Sequence, residues 1–166
     1  MFLAEPDFLL YDELREPNNY LGIMKAISSG AHTLTEISAW TAIPATSVTF
    51  YLGVLQELHL VERRLPVTVQ VSGRGRARNG RYFISDAYFQ FYMRFLEPFL
   101  SSYPFSSGQV ADFFRGGLSD FVGDRALPEL ARNWLQTQAS AGKVPFTMDD
   151  IGSFWNGRVT LDVVGI

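Results

Sequence analysis

The stretch GRYFISDAYFQFYMRFLEP, Gly80 to Pro98, decides the fold of this 166-residue chain. A strand pattern over Arg81 to Ser85 runs directly into a helix pattern dense in aromatic residues. Ten of the 24 aromatic side chains fall between Tyr82 and Phe105. In a water-soluble protein such a helix must be covered on most of its sides. Residues 86–108 are therefore predicted to form an aromatic connector helix and linker between two halves of the molecule.

Composition restricts the class of protein. Hydrophobic residues make up 47% and charged residues 19% of the chain, and there is no run of about 18 apolar residues that could cross a bilayer. The acidic start lacks the basic leader and small-residue cleavage site of a secretory signal. Cysteine is absent, which excludes a disulfide framework, a thiolate metal site and a cysteine nucleophile. We expect a cytoplasmic protein with no membrane partner.

Three helices are predicted before the aromatic stretch. The apolar spacing from Tyr20 indicates the first, and Thr33 with Glu36 has the capping-box spacing that begins the second. Pro44 occupies a position tolerated in the first turn of the third. Residues 1–19 are interpreted as a linker helix that follows an upstream domain.

The segment after the third helix predicts a two-stranded ribbon. Leu60 to Val71 is rich in β-branched residues, with valines alternating against polar residues, and Arg81 to Ser85 supplies the returning strand. Three helices followed by such a ribbon are typical of a winged helix, which we predict for residues 20–85.

Candidate DNA-binding residues lie on the third helix and on the loop of the ribbon. A winged helix usually places its third helix in the major groove, but the outward hydroxyl groups here are accompanied by no arginine, lysine or asparagine for bidentate base contacts. Arginines interleaved with glycines in the loop could clamp phosphates. The candidates are Thr46, Ser47, Thr49, Arg74, Arg76, Arg78 and Arg81. A solvated loop on a protein-docking module is the alternative, and Arg63 and Arg64 are interpreted as strand-edge charges.

The second half predicts two helices and a hairpin. The first helix, roughly Gln109 to Val122, is weakened by Gly116 and Gly117. The next helix is predicted to bury one apolar side, formed by Leu127, Leu130, Ala131, Trp134 and Leu135. The strands Ile151–Trp155 and Arg158–Ile166 are joined by Asn156-Gly157, a strong hairpin signal.

Few residues are suited to catalysis. The chain lacks the G-x-x-x-x-G-K-[ST] loop of P-loop nucleotide binding, and His32 and His59, which have no partner at ligand spacing, are interpreted as structural or solvent-facing. Alternation in the last strand places Asp162 opposite Val159, Leu161 and Val163. Asp162 is a candidate ligand of a divalent metal, and the alternative is a lone polar residue near a strand edge.

Together these residues resemble the C-terminal region of the archaeal-type P-loop ATPases, relatives of the AAA and STAND classes. The resemblance covers nearly the whole chain and includes the ribbon, the aromatic helix and the final hairpin. Its motifs are Glu36-Ile37, Tyr51-Leu52, Leu55, Arg63-Arg64-Leu-Pro66, Arg81-Tyr-Phe-Ile-Ser-Asp86, Phe89-Gln-Phe-Tyr-Met-Arg-Phe95, Pro98, Ile151-Gly-Ser-Phe-Trp155 and Leu161-Asp-Val-Val164. Departures occur at Leu127-Pro128, where the family usually has Phe-Glu, and at Thr160, where it often has an acid.

The resemblance implies a mainly α (α+β) fragment: a winged helix, an aromatic connector and a partial restriction-endonuclease-like domain at 109–166. It implies a non-catalytic DNA- or partner-binding module of a longer ATPase, with ATP and Mg²⁺ bound only by the absent ATPase domain. Duplex DNA, that ATPase domain and a second copy of the chain are the expected partners. A protein-interaction scaffold that ignores nucleic acid is the alternative, and part of a metal-dependent nuclease is a third interpretation.

Overall fold

A computed structural model describes residues 16–69, 77, 79–98 and 107–166. These residues fall into two compact units, one of residues 16–64 and 80–98 and one of residues 65–69, 77, 79 and 107–166. The described residues are mainly helical with two small antiparallel sheets, which confirms the coarse prediction of an α+β protein. No helix in these ranges is long and apolar enough to cross a membrane.

The first unit contains three helices, a two-stranded sheet and the aromatic helix in its described residues. The elements are α1 (Pro17–Ser28), α2 (Leu34–Thr41), α3 (Ala45–Glu57), β1 (Val61–Arg64), β2 (Arg81–Ile84) and α4 (Ala87–Phe91), which continues as a π-helical turn over Tyr92–Leu96. This order follows the predicted three helices, ribbon and aromatic helix.

The start of α2 is the capping box predicted from the sequence. Glu36 N–H donates to Thr33 Oγ1 at 3.3 Å, and Glu36 Oε2 accepts from the backbone N–H groups of Thr33 at 2.8 Å and His32 at 2.9 Å. These bonds satisfy donors that have no partner within the helix. Burial opposes ionisation of the Glu36 carboxyl, but the bonds from Thr33 and His32 hold its pKa below the ordinary value.

The sheet of the first unit is extended by one residue from the α1–α2 connection. Strands β1 and β2 pair antiparallel, with Val61 opposite Ile84 and Arg64 opposite Arg81. Tyr82 N–H donates to the backbone oxygen of His32 at 2.8 Å, and the His32 ring Nδ1 lies 2.9 Å from Tyr82 O. The prediction of a structural His32 thus has a direct geometric basis.

The aromatic helix belongs to the core of the first unit. Tyr92 and Met93 are buried in the same cluster as residues of α1, α2, α3 and both strands, and Lys25 Nζ forms a 2.6 Å ion pair with Glu97. Because these side chains are buried with those of the three helices and the ribbon, the aromatic helix completes the core of the first unit. The sequence had predicted instead that residues 86–108 form a connector between two halves of the molecule.

The strand predicted over Leu60 to Val71 ends early. Strand β1 ends at Arg64, and Val69 N–H donates to Pro66 O at 2.9 Å, which makes a turn where valine alternation had predicted extension. Proline cannot donate to a strand ladder, and Val67 N–H instead donates to Ser153 O at 2.8 Å within the second unit. Residues 70–76 and 78 lie outside the described ranges.

The second unit consists of a long helical run and a hairpin in its described part. Its elements are α5 (Ser107–Phe121), a π-helical turn (Val122–Ala126), α6 (Leu127–Ser140), β3 (Ile151–Trp155) and β4 (Thr160–Gly165). Gly116 and Gly117 lie within α5 and do not end it. The hairpin is confirmed, but its loop has four residues in which Asn156 Oδ1 accepts from the N–H groups of Arg158 and Val159.

Two predicted faces of the second unit are wrong. Leu127, Leu130, Ala131 and Trp134 are exposed, and only Leu135 of the predicted inner side is half-buried. The β3–β4 register shifts between Gly152 and Phe154 of β3, because β4 has one extra residue at this point. The strict alternation of side chains therefore fails around Asp162. Leu161 is exposed whereas Val163 and Val164 are half-buried. A helix packed by its polar side and a bulged strand are both invisible to simple periodicity.

The lowered pKa of Glu36 predicts a pH-dependent contribution to stability. The contribution is fully present above the unfolded pKa of glutamate, about 4.3, and is lost as the pH falls through the lower folded value. We expect Glu36→Gln to lower the free energy of unfolding by about 0.3–1 kcal/mol at pH 7, because the amide oxygen can still accept the capping bonds but the negative charge at the helix start is lost, and by less at pH 3. Urea denaturation at the two pH values measures this difference.

Glu57→Gln is the matched control, because Glu57 is an exposed acid at the other end of a helix. A Glu36→Gln effect that is equal at the two pH values would contradict the prediction.

Candidate nucleic-acid interface and candidate metal site

The outward face of α3 is polar and uncharged apart from its last residue. Thr46 and Thr49 are exposed and Ser47 is half-buried. Thr49 Oγ1 donates to Ala45 O at 2.8 Å, which leaves the hydroxyl oxygen free to accept but commits its proton. Phe50, on the same helix, is 65% exposed. This face can make hydroxyl and apolar contacts, but it offers no cation to a phosphate.

The neighbouring tyrosine of α3 is occupied within the protein. Tyr51 hydroxyl donates to Glu16 Oε2 at 2.7 Å and accepts from Asn19 Nδ2 at 2.9 Å. The hydrogen bond to the Glu16 carboxylate raises the pKa of Tyr51 above its ordinary value. These bonds join α3 to the start of α1 and therefore fix the direction of α3.

Three of the five cations in the described part of the first unit lie at the end of the β1–β2 ribbon. Arg64 and Arg81 form the last pair of the β1–β2 register. The Arg63 guanidinium lies so close to Gly80 that any side chain at position 80 would overlap it. Arg64 donates to Glu62 Oε1 and lies over the Phe83 ring, with Cζ 4.8 Å from the ring centroid. The structure thus brings Arg81 together with two arginines that sequence reasoning assigned to strand edges.

The remaining candidates are three arginines of the predicted wing and His59. Arg74, Arg76 and Arg78 lie outside the described residues. His59, also considered in the sequence, is exposed directly after α3 with a φ of 58°. Its position at the helix end agrees with a structural or solvent-facing role.

Asp162, the candidate metal ligand, is exposed at the irregular point of the β3–β4 hairpin. Its backbone oxygen accepts from Ser153 Oγ at 2.8 Å. Among the residues that the structure describes, no group of three or more His, Cys, Asp or Glu could hold a metal ion. A single exposed carboxylate is a poor donor set for a divalent cation, which takes several oxygen ligands, so the described residues do not fit a metal here.

Sequence reasoning missed the charged network next to Asp162. Arg132 Nη1 forms a 3.1 Å ion pair with Glu129 Oε2, and Arg132 Nη2 donates to Ser153 Oγ at 2.9 Å. Ser153 passes the connection to the Asp162 backbone, so one guanidinium links α6 to both strands of the hairpin. The Arg132 side chain is only 19% exposed. A Glu-x-x-Arg spacing was visible in the sequence, but the target of the second Arg132 nitrogen was not.

A cleft of about 940 Å³ lies at the C-terminal end of α6. Its walls include Gln136, Ser140, Phe146 and Met148, together with Asp149 and Asp150 before β3. The backbone N–H of Asp149 donates to Ile166 O at 2.6 Å. None of the sequence-predicted site residues lines this cleft.

Comparison with known proteins adds context without a function. Residues 92–166 match the family DUF234, described as archaeal and bacterial proteins of unknown function. An uncharacterized protein of Methanocaldococcus jannaschii is 30% identical over 162 residues, which are 98% of this chain. The chain spans 36% of the length of that curated relative. No solved structure matches.

The Arg132 network predicts that replacing Arg132 lowers the free energy of unfolding more than replacing Arg115, another arginine of the second unit. We expect Arg132→Ala to lower the free energy of unfolding by about 1–2 kcal/mol, because a hydrogen-bonded charge between α6 and the hairpin is lost. Arg115→Ala is the control: Arg115 forms an ion pair with Asp112 at the same i,i+3 spacing, but both side chains are 78% exposed. Its loss should cost less than about 0.5 kcal/mol.

Urea denaturation of the two variants measures both values. Equal effects of the two substitutions would show that the Ser153 bridge contributes nothing beyond a surface ion pair.

Proposed function

We propose that the first unit is a winged-helix module that binds the phosphate backbone of duplex DNA without catalysing a reaction. In this assignment α3 is the groove-facing helix, the β1–β2 ribbon is the stem of the wing, and Thr46, Ser47 and Thr49 face the nucleic acid. The order of elements and the His32–Tyr82 pairing next to the ribbon support the assignment.

The observation that carries the proposal is the like-charge pair at the end of the ribbon. Arg64 lies directly opposite Arg81, an arrangement that normally destabilises a strand pair. Glu62 and the Phe83 ring compensate Arg64, and a bound phosphate would reduce the repulsion further because arginine binds phosphate bidentately. Arg74, Arg76 and Arg78 fall between the two strands in the sequence and add three positive charges to that segment of the chain.

The uncharged face of α3 limits what such a module can read. Its hydroxyl groups can contact phosphates or base edges, but bidentate recognition of guanine or adenine normally needs arginine, lysine, asparagine or glutamine. The half-buried Gln56 amide of α3 donates to Leu52 O at 3.0 Å. The proposed binding is therefore mainly electrostatic and weakly sequence-specific.

A catalytic role for this chain is not supported by the Asp162 region. The nuclease interpretation needs a cluster of metal ligands, whereas Glu129 is engaged with Arg132 and Asp162 is exposed. The resemblance to P-loop ATPases supports an ATPase domain as the protein partner of the module. ATP and Mg²⁺ would then be ligands of that domain.

Protein docking is a second candidate function of the first unit. Trp40 on α2 and Phe50 on α3 are 51% and 65% exposed. Aromatic side chains are enriched at the centres of protein interfaces. A docking module would use these rings and would be insensitive to the loss of ribbon arginines.

Fluorescence anisotropy with a labelled DNA duplex tests the DNA proposal. We expect binding at low salt, weakened at least tenfold when Arg74, Arg76 and Arg78 are replaced by alanine, and weakened to a smaller degree by Arg81→Ala. The slope of log K against log salt should fall by about 0.9 for each phosphate contact removed. Arg115→Ala removes one exposed arginine of the second unit and is the control for net charge.

Absence of binding at low salt would overturn the DNA proposal. Equal weakening by Arg115→Ala and Arg81→Ala would reduce it to a general charge effect. Loss of binding on Phe50→Ala with the arginine variants unchanged would favour contact through the aromatic surface of the module.

A further inference from the structure

Gly80, the residue before β2, is a glycine that its own backbone does not require. Its φ lies outside the positive range that favours glycine. A side chain at this position is instead excluded by Arg63, because a Cβ atom would overlap Nε and would lie 2.8 Å from both Cζ and Nη2. The absence of a side chain at position 80 therefore leaves the space that the Arg63 guanidinium fills.

Arg63 lies on the other face of the ribbon from Arg64 and Arg81. Successive side chains of a strand point to opposite faces, and directly paired residues share a face. Arg63 is paired with Tyr82, whereas Arg64 is paired with Arg81. Because Gly80 lies beyond the last pair of the register, the Arg63 guanidinium reaches the same end of the ribbon as the other two. Both faces of the ribbon therefore carry a guanidinium at this end.

The two strands of the ribbon have an excess of positive charge. The eight residues of β1 and β2 contain three arginines and one acid, Glu62, which accepts from Arg64. Like charges at this separation repel one another. An anion bound at the end of the ribbon would reduce the repulsion among all three guanidinium groups.

Contact with Gly80 also limits the movement of the Arg63 side chain. A flexible arginine gives up rotamer freedom when it binds a phosphate, and a guanidinium that is already held against the backbone gives up less. Its planar fork then presents its donors in a fixed direction. Any side chain at position 80 would force the guanidinium out of this position.

We propose that Gly80 is a positioning residue, which holds the Arg63 guanidinium at the end of the ribbon so that Arg63 binds a phosphate of the DNA backbone. This role of Gly80 rests on the DNA-binding function proposed for the first unit. It adds Arg63, which the sequence suggested to be a strand-edge charge, to the phosphate contacts of the ribbon. Gly80 acts on the DNA only through Arg63.

Fluorescence anisotropy of the whole chain with a labelled DNA duplex at several salt concentrations tests the role of Arg63. We expect Arg63→Ala to weaken binding about threefold at low salt, the effect of an exposed ion pair, and to lower the slope of log K against log salt by about 0.9. Arg63→Lys should keep the slope, because the charge remains, but should recover only part of the affinity. Arg115→Ala is again the control for net charge.

A double-mutant cycle tests the role of Gly80. Gly80→Ala should weaken binding by about as much as Arg63→Ala, because the new Cβ atom displaces the guanidinium. In the Arg63→Ala background it should have no further effect, because the group that it displaces is absent. Gly116→Ala is the matched control: Gly116 lies in α5, and a Cβ atom there meets nothing within 4 Å. This control should bind DNA as tightly as the parent chain.

Urea denaturation separates positioning of Arg63 from a structural role of the glycine. The atoms that a Cβ atom at position 80 would overlap belong to the far end of a flexible side chain, which can move without disturbing the core. Gly80→Ala should therefore leave the midpoint of urea unfolding unchanged while it lowers DNA affinity.

Absence of binding by the parent chain at low salt would overturn the proposed function and this role of Gly80 together. Binding by the parent chain that Arg63→Ala leaves unchanged would overturn only the Arg63 contact. If Gly80→Ala weakened binding equally with and without Arg63, or lowered the unfolding midpoint, the glycine would act through the backbone and the positioning role would be wrong.

Discussion

Burial of the aromatic helix against three short helices is the interaction on which the first unit depends. Helices α1, α2 and α3 have 12, 8 and 13 residues, lengths at which an isolated helix is marginal in water. Tyr92 and Met93 close the apolar cluster that these helices and the ribbon form. At the edge of the cluster, the 2.6 Å ion pair between Lys25 of α1 and Glu97 joins α1 to the end of the aromatic helix. The core that α1, α2 and α3 share is therefore completed by a helix that follows α3 by some thirty residues of sequence.

Features with a local physical cause were predictable from the sequence. The capping box of α2 and the hairpin around Asn156 were predicted because a few adjacent residues satisfy their own backbone groups. The end of β1 at Arg64 was not, because valine alternation up to Val71 carries the same signal whether or not a partner strand exists. The bulge at Asp162 was missed for a similar reason, since an inserted residue changes the register without changing the composition of the strand.

The helix α6 shows why the candidate site was only partly predictable. Apolar spacing predicts which residues of a helix share a side, but not whether that side meets the protein's own hairpin or something else. In this chain α6 contacts the hairpin through Arg132, whose Nη2 donates a hydrogen bond to Ser153 of β3. Arg115 and Asp112 have the same spacing as Arg132 and Glu129, yet both are exposed. Only the tertiary structure distinguishes a bridging arginine from a surface ion pair.

In the first unit, the positive charges lie on a different element from the proposed groove-facing helix. In the first unit, the helix that would enter a groove is neutral over most of its outer face, while guanidinium groups collect on the ribbon, where Arg64 faces Arg81. A helix without charged or amide side chains on its outer face would bind different DNA sequences with similar free energies, because it makes few bidentate contacts to bases. In the proposed complex with DNA, the ribbon arginines would give an affinity that depends on salt concentration and not on base sequence. If the proposed function holds, such a module would add affinity for DNA in general, and selection of a particular base sequence would have to come from residues outside α3 and the ribbon.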